Sequence, residues 1–200
     1  MAKAHFQPAQ YLTVPAATSE SWQYLPVDFM PADRVAAHSL MVVRDARLYH
    51  FGILSSAMHM AWVKFTTGKL DGSHRHADKA ILKNFPWPLN HTEAQLKHIE
   101  AKAQAVLDAR DAFLAQPLEA LYDPLTMPDS LRDAHEALDA AVDAAYGRRR
   151  FDSDLSRIGF LLSFDRQITA LLVTGIEERA YVHSYDAMPD YDTQHAITQA

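Results

Sequence analysis

The sequence predicts an α+β protein: a small mixed strand/helix domain over residues 1–90, an α-helical bundle over 91–173 and a polar C-terminal tail over 174–200. Three observations lead there. Short apolar runs broken by prolines fill much of the first half, a pattern that suits strands. Apolar residues at steps of three and four dominate the second half, a pattern that suits helices. The charge also changes sign between them. Residues 1–90 hold 9 Lys+Arg against 6 Asp+Glu, net +3, and residues 91–200 hold 10 against 19, net −9. The whole-chain charge of −6 therefore averages two unlike parts.

At 200 residues the chain has room for one ordinary domain or two small ones. With 48% hydrophobic and 22% charged residues its balance is globular, which argues against long-range disorder. There is no cysteine, so disulfides, thiolate zinc sites, iron–sulfur clusters and cysteine nucleophiles are excluded. No run of about eighteen apolar residues occurs, and the opening MAKAHFQPAQ lacks the apolar core of a signal peptide. A cytoplasmic protein without membrane contact is expected.

In the first half, Tyr11–Val14 is a β-branched and aromatic run ending at Pro15, and Trp22–Pro26 alternates in the same way. Leu40–Val43 reads as a third, buried strand. From Leu48 the period changes: Phe51, Leu54, Met58, Trp62 and Phe65 form one helical stripe, stopped by Gly68. A polar loop turning at Asp71-Gly72 follows, then a strand at about Ala80–Phe85.

Lys64, Lys69, Arg75, Lys79 and Lys83 concentrate in this stretch, beside hydroxyl side chains such as Ser73. Lysine and arginine neutralise phosphates, and an arginine fork also matches the acceptor edge of guanine. A solvated face explains the same charges equally well. His74-x-His76 lacks a third ligand at a fixed offset, so no metal site is assigned.

In the second half, Thr92-Glu93-Ala94-Gln95 has the form of a capping box. Behind it Leu96, Ile99, Ala103, Val106, Leu107, Arg110 and Phe113 trace one face, and Pro117 ends or restarts the helix. Pro128 opens a second helix lined by Leu131, Ala134, Leu138, Ala141, Val142 and Ala145, before Gly147. A third, starting near Ser153, buries Leu155, Ile158, Leu161, Leu162, Ile168 and Leu171. Glu100-Ala101-Lys102 resembles half of a magnesium nuclease site, but mid-helix it reads as a solvated face. Arg148–Arg150 suits phosphate and a helix C-terminus alike.

No phosphate-binding glycine loop and no nucleophile elbow occurs; the six glycines are scattered. No catalytic residue is assigned.

The string Leu48-Tyr49-His50-Phe51-Gly52-Ile53-Leu54-Ser55-Ser56-Ala57-Met58-His59-Met60-Ala61-Trp62-Val63 resembles the MmeI-like family of bacterial restriction–modification proteins. These fuse an endonuclease to an adenine-specific DNA methyltransferase. Asn84-Phe85-Pro86-Trp87-Pro88 resembles the motif closing that family's target-recognition domain. Leu121-Tyr122-Asp123-Pro124, Met127-Pro128, Ala134-His135, Leu138-Asp139 and Val142-Asp143-Ala144-Ala145-Tyr146-Gly147 resemble its C-terminal helical segment. The likeness covers roughly residues 10–170. It implies a recognition domain followed by a helical module, without the catalytic domains.

By that resemblance Arg75 would read or anchor a base of double-stranded DNA, and Lys64, Lys69, Lys79 and Lys83 would contact phosphates near Ser73. S-adenosylmethionine would belong to a methyltransferase domain absent from this chain, which needs no cofactor itself. Phe51, Met58, Trp62, Phe85 and Trp87 are expected in the core. Two departures stand out. The family's Ser-Glu-x-Arg-x-Tyr-x-Pro reads Ser19-Glu20-Ser21-Trp22-Gln23-Tyr24-Leu25-Pro26, without the arginine. Gly68-Lys69-Leu70 matches the family's Gly-Arg-Leu, but where the family continues with a short acidic or serine-containing turn and Arg-Tyr-Ser the chain has Ser73-His74-Arg75-His76-Ala77, with only Arg75 matching. Alternatives are a module docking onto separate methyltransferase or nuclease subunits, and a gene remnant.

Overall fold

The computed structural model describes residues 10–19, 21–67, 73–75, 84–89, 91–147, 150–174 and 190–192, with 18, 73–75, 171–174 and 190–192 described by their backbone. Along the chain run β1 (Gln10–Pro15), β2 (Ala17–Ser19), β3 (Asp28–Pro31), β4 (Leu40–Arg44), α1 (Leu48–Leu54), α2 (Ala57–Thr67) and β5 (Ser73–Arg75). Then come α3 (Glu93–Asp111), α4 (Leu118–Leu121), α5 (Asp129–Ala145), α6 (Asp154–Thr174) and β6 (Asp190–Asp192). This is an α+β chain with a helical second half.

One antiparallel sheet has the order β3-β1-β4-β6, with Leu12 opposite both Phe29 and Val43. Its two faces follow the period of a strand. Leu12, Val14, Met41 and Val43 enter the main core, whereas Tyr11 and Val42 join Ala36 in a small separate cluster. β6 draws residues 190–192, from the segment expected to be a polar tail, onto the edge of β4. β2 and β5 form a separate two-stranded ribbon.

The stripe from Phe51 to Phe65 is two helices rather than one. The Ser55 hydroxyl donates to the Phe51 carbonyl at 2.6 Å and Ser56 to that of Ile53 at 2.7 Å, so serine side chains compete with the helical ladder. Every residue from Tyr49 to Val63 is buried, so these helices pass through the core. Phe65, at the end of the stripe, is 53% exposed. Trp22–Pro26 is not a strand. Tyr24, Leu25 and Pro26 are consecutively buried without a ladder, and the strands lie either side at β2 and β3. Of the strand expected at Ala80–Phe85, residues 80–83 lie outside the described residues, and Asn84-Phe85 form a turn. The Asp71-Gly72 turn also lies outside them.

The helical half follows its capping signals. The Thr92 hydroxyl accepts the Gln95 N–H at 3.2 Å, and the Gln95 side-chain oxygen accepts the Thr92 N–H at 2.8 Å. The Gln95 side-chain amide also donates to the Ala144 carbonyl at 2.9 Å, tying α3 to α5. Gly147, at φ +77°, stops α5 in a conformation that favours glycine. Ile158, Leu161 and Ile168 of α6 are buried, but Leu155 is 81% exposed because it falls in the first turn, away from the packed face. One hydrophobic core runs from Leu12 through Phe51, Trp87 and Leu138 to Leu161.

Candidate nucleic-acid interface

The ribbon carries the residue singled out for base contact. β2 pairs with β5 so that Arg75 lies opposite Ala17, His74 opposite Thr18 and Ser73 opposite Ser19. Ser73 and Arg75 are thus brought together on one short strand. α2 precedes this strand in the chain, and it carries Lys64. Lys64 Nζ stands 3.5 Å from Asp154 Oδ2 at the start of α6, so the second half already engages this cation. Lys69, Lys79 and Lys83 lie outside the described residues.

Most of the described aromatic residues of the first half pack inward. Phe51, Met58, Trp62, Phe85 and Trp87 are all buried, as expected. The Asn84-Phe85-Pro86-Trp87-Pro88 string is a wall of the core: Phe85 meets Trp87 edge-on at 5.7 Å and His59 at 4.9 Å. Burial holds His59 neutral, pushing its pKa down to about 4. Its Nδ1 lies 2.9 Å from the Leu54 carbonyl.

The helical half grips the first half through polar contacts that periodicity alone does not reveal. Arg110, on the apolar face of α3, is buried, and its Nη1 donates to the Val27 carbonyl at 2.6 Å. Its Nε donates to the Tyr122 hydroxyl at 2.8 Å, which lies 2.8 Å from His135 Nε2. The guanidinium also faces the rings of Phe51 and Tyr122 at about 5 Å, near the cation–π distance. Asp28, 3.8 Å away, partly balances the charge.

A second contact centres on Asp139 of α5. Its Oδ1 accepts the Ala57 N–H at 2.8 Å, and its Oδ2 accepts the Tyr24 hydroxyl at 2.9 Å. Burial raises its carboxyl to about 7, against the lowering influence of those two donors. Tyr24 is also stacked on His135 with ring centroids 4.1 Å apart. In a third contact the Tyr146 hydroxyl donates to the Pro86 carbonyl at 2.7 Å. Tyr122, His135, Asp139 and Tyr146 all stand in the strings that carry the family resemblance, which is the only signal for them in the sequence, and Tyr24 stands in the string that departs from the family by its missing arginine. Arg110 is visible there as a charge inside an apolar stripe.

Among the described residues no group of three or more His, Asp or Glu side chains is arranged to hold a metal ion. Glu100 and Lys102 lie on α3 as part of an ordinary helix. Arg148 and Arg149 lie outside the described residues, and Arg150 is exposed. No described helix is long and apolar enough to cross a membrane.

An antiparallel sheet and ribbon joined to a helical base is the architecture of a target-recognition domain with its C-terminal helical domain. Family models agree on both parts: the MmeI target recognition domain matches residues 2–89, and the MmeI C-terminal domain matches residues 90–173. The chain belongs to the MmeI-like family and corresponds to this portion of it. It is 36% identical over 158 residues to DNA methyltransferase A of Bacillus subtilis (strain 168), covering 79% of this chain and 18% of that protein. It is also similar to the type IIL restriction–modification enzyme MmeI, solved in complex with DNA, with a TM-score of 0.76 and 35% identity. That match covers 82% of this chain and 22% of the enzyme. The chain thus spans about a fifth of either relative.

Proposed function

We propose that this chain recognises a sequence in duplex DNA, with the ribbon as its reading edge and the helical half as its base. The observation that carries the proposal is the likeness, at TM-score 0.76 and 35% identity, to an enzyme solved on DNA. Arg75 reads or anchors a base, and Lys64, Lys69, Lys79 and Lys83 meet phosphates beside Ser73. Methyl transfer, base flipping and S-adenosylmethionine binding belong to a methyltransferase domain outside this chain. The test is binding to a random-sequence duplex pool across a salt series. Affinity should fall steeply with salt, and Arg75→Ala should relax the sequence preference. Absence of binding at about 50 mM salt would overturn the proposal for the isolated chain.

A second reading, docking onto a separate methyltransferase or nuclease subunit, draws on a concave cavity of about 580 Å³ beside α5. Asp133, Glu136, Asp139, Asp143, Asp152 and Asp154 line it, against Arg150 and Arg157. An acidic hollow suits a basic protein segment and repels phosphate. Purification from the native cell tests this reading. A stoichiometric methyltransferase or nuclease partner supports it, and its absence counts against it.

A further inference from the structure

One carboxylate of the helical half bonds the two segments that flank the strands of the β2–β5 ribbon in the chain. β2 ends at Ser19, and the chain leaving it reaches Tyr24, whose hydroxyl bonds to Asp139 Oδ2 at 2.9 Å. β5 is reached from α2, whose first amide, that of Ala57, bonds to Asp139 Oδ1 at 2.8 Å. The division of labour at the start of α2 is specific. Ser56 Oγ accepts the His59 N–H at 3.4 Å, which leaves the Ala57 amide for Asp139. His135, stacked on Tyr24 at 4.1 Å, keeps that ring from swinging away.

We propose that Asp139 is a positioning residue for DNA recognition: it sets where the β2–β5 ribbon, and Arg75 with it, stands relative to the helical base. The inference rests on the target-recognition reading above. Asp139 lies in α5, far from the ribbon in sequence, and its side chain is buried between the two halves. Its two oxygens reach segments that flank different strands, so losing either bond releases one support of the ribbon while the other remains.

The test separates a positioning role from a merely stabilising one. A destabilised chain has a smaller folded fraction and binds all duplexes proportionally less, whereas a misplaced reading edge loses discrimination between them. The full chain and its Asp139→Asn, Tyr24→Phe and Ile99→Val variants are each titrated against the duplex enriched from a random pool and against the unenriched pool. Asp139→Asn keeps the shape of the side chain, and Tyr24→Phe removes only one hydroxyl, so a failure of one to fold leaves the other. The expected result is a loss of preference of about tenfold in both, the equivalent of one buried hydrogen bond. Ile99→Val, a core truncation on α3, should weaken both duplexes alike and leave their ratio unchanged. An unchanged ratio in Asp139→Asn and Tyr24→Phe overturns the positioning role while leaving target recognition intact. A parent chain with no preference for any duplex overturns both.

Discussion

Arg110, in the last turn of α3, crosses into the first half of the chain and donates to the backbone carbonyl of Val27 at 2.6 Å. Its guanidinium serves Val27, Tyr122 and Asp28 together. Arg110→Lys keeps the charge but gives up the planar fork. The substitution should cost about 2 kcal/mol, read as a lower urea midpoint at unchanged slope. Tyr122→Phe should lose a similar amount, because the ring stays while the shared hydroxyl goes. In the double variant the losses should not add; full additivity would show the two residues acting independently.

Gly52 of α1 lies directly against α3. A methyl group there would stand 2.7 Å from Ile99 Cγ2 and 3.3 Å from Ala103 Cβ. In an open helix, glycine to alanine gains up to about 1 kcal/mol, but overpacking a core costs about 1–3 kcal/mol. Gly52→Ala should therefore lower the melting temperature by a few degrees, about 2–4 °C per kcal/mol in a chain of this size. A rise in melting temperature would mean that the two helices separate freely.

Stability should depend on pH through groups of opposite sign. His59 stays neutral in the folded chain down to about pH 4, whereas the unfolded residue protonates near 6.5. Between those values the unfolded chain binds more protons, so this contribution rises with pH. Burial lowers His135 in the same direction. Asp139 opposes them: its carboxyl, raised from 3.8 to about 7, holds a proton that the unfolded chain has released. Its contribution is complete below the unfolded value and is lost as pH rises towards 7. Asp139→Asn should accordingly make stability climb more steeply between about pH 5 and pH 7 in urea titrations. A slope equal to that of the parent chain would contradict this assignment.

Lys64 is the one expected phosphate contact whose side chain the structure describes, and Asp154 holds it at 3.5 Å. At 30% and 52% exposure the ion pair is partly solvated, so breaking it costs less than about 1 kcal/mol. Asp154→Asn should then strengthen duplex binding about threefold, and only while Lys64 is present. The same gain in a Lys64→Ala background would show that the effect is general charge rather than release of this lysine.

The second half is the more legible in sequence because its signals are local. Thr92 with Gln95, Pro128 and Gly147 each act within a turn of the helix they bound, and the structure places the helix ends beside them. The break at Ser55-Ser56 is hidden because the apolar steps of three and four continue across it. What makes the break stable includes Asp139, 82 residues further on. Trp22–Pro26 misleads for a related reason. Its alternation looks like a strand, but Pro26 has no N–H to give a ladder, and the neighbouring Val27 carbonyl is taken by Arg110. The candidate interface is legible as a run of basic residues; the supports of its ribbon are not, since they depend on side chains that meet only in the folded chain.

Three of the contacts joining the halves end on main-chain atoms of the first half: the carbonyls of Val27 and Pro86 and the amide of Ala57. A peptide carbonyl offers the same bond whatever side chain it carries, and a peptide amide does so for every residue but proline. The helical base thus holds the path of the recognition half rather than its chemistry. On the target-recognition reading proposed above, side chains on the ribbon are free to drift, and with them the sequence preferred, while the mount beneath stays the same.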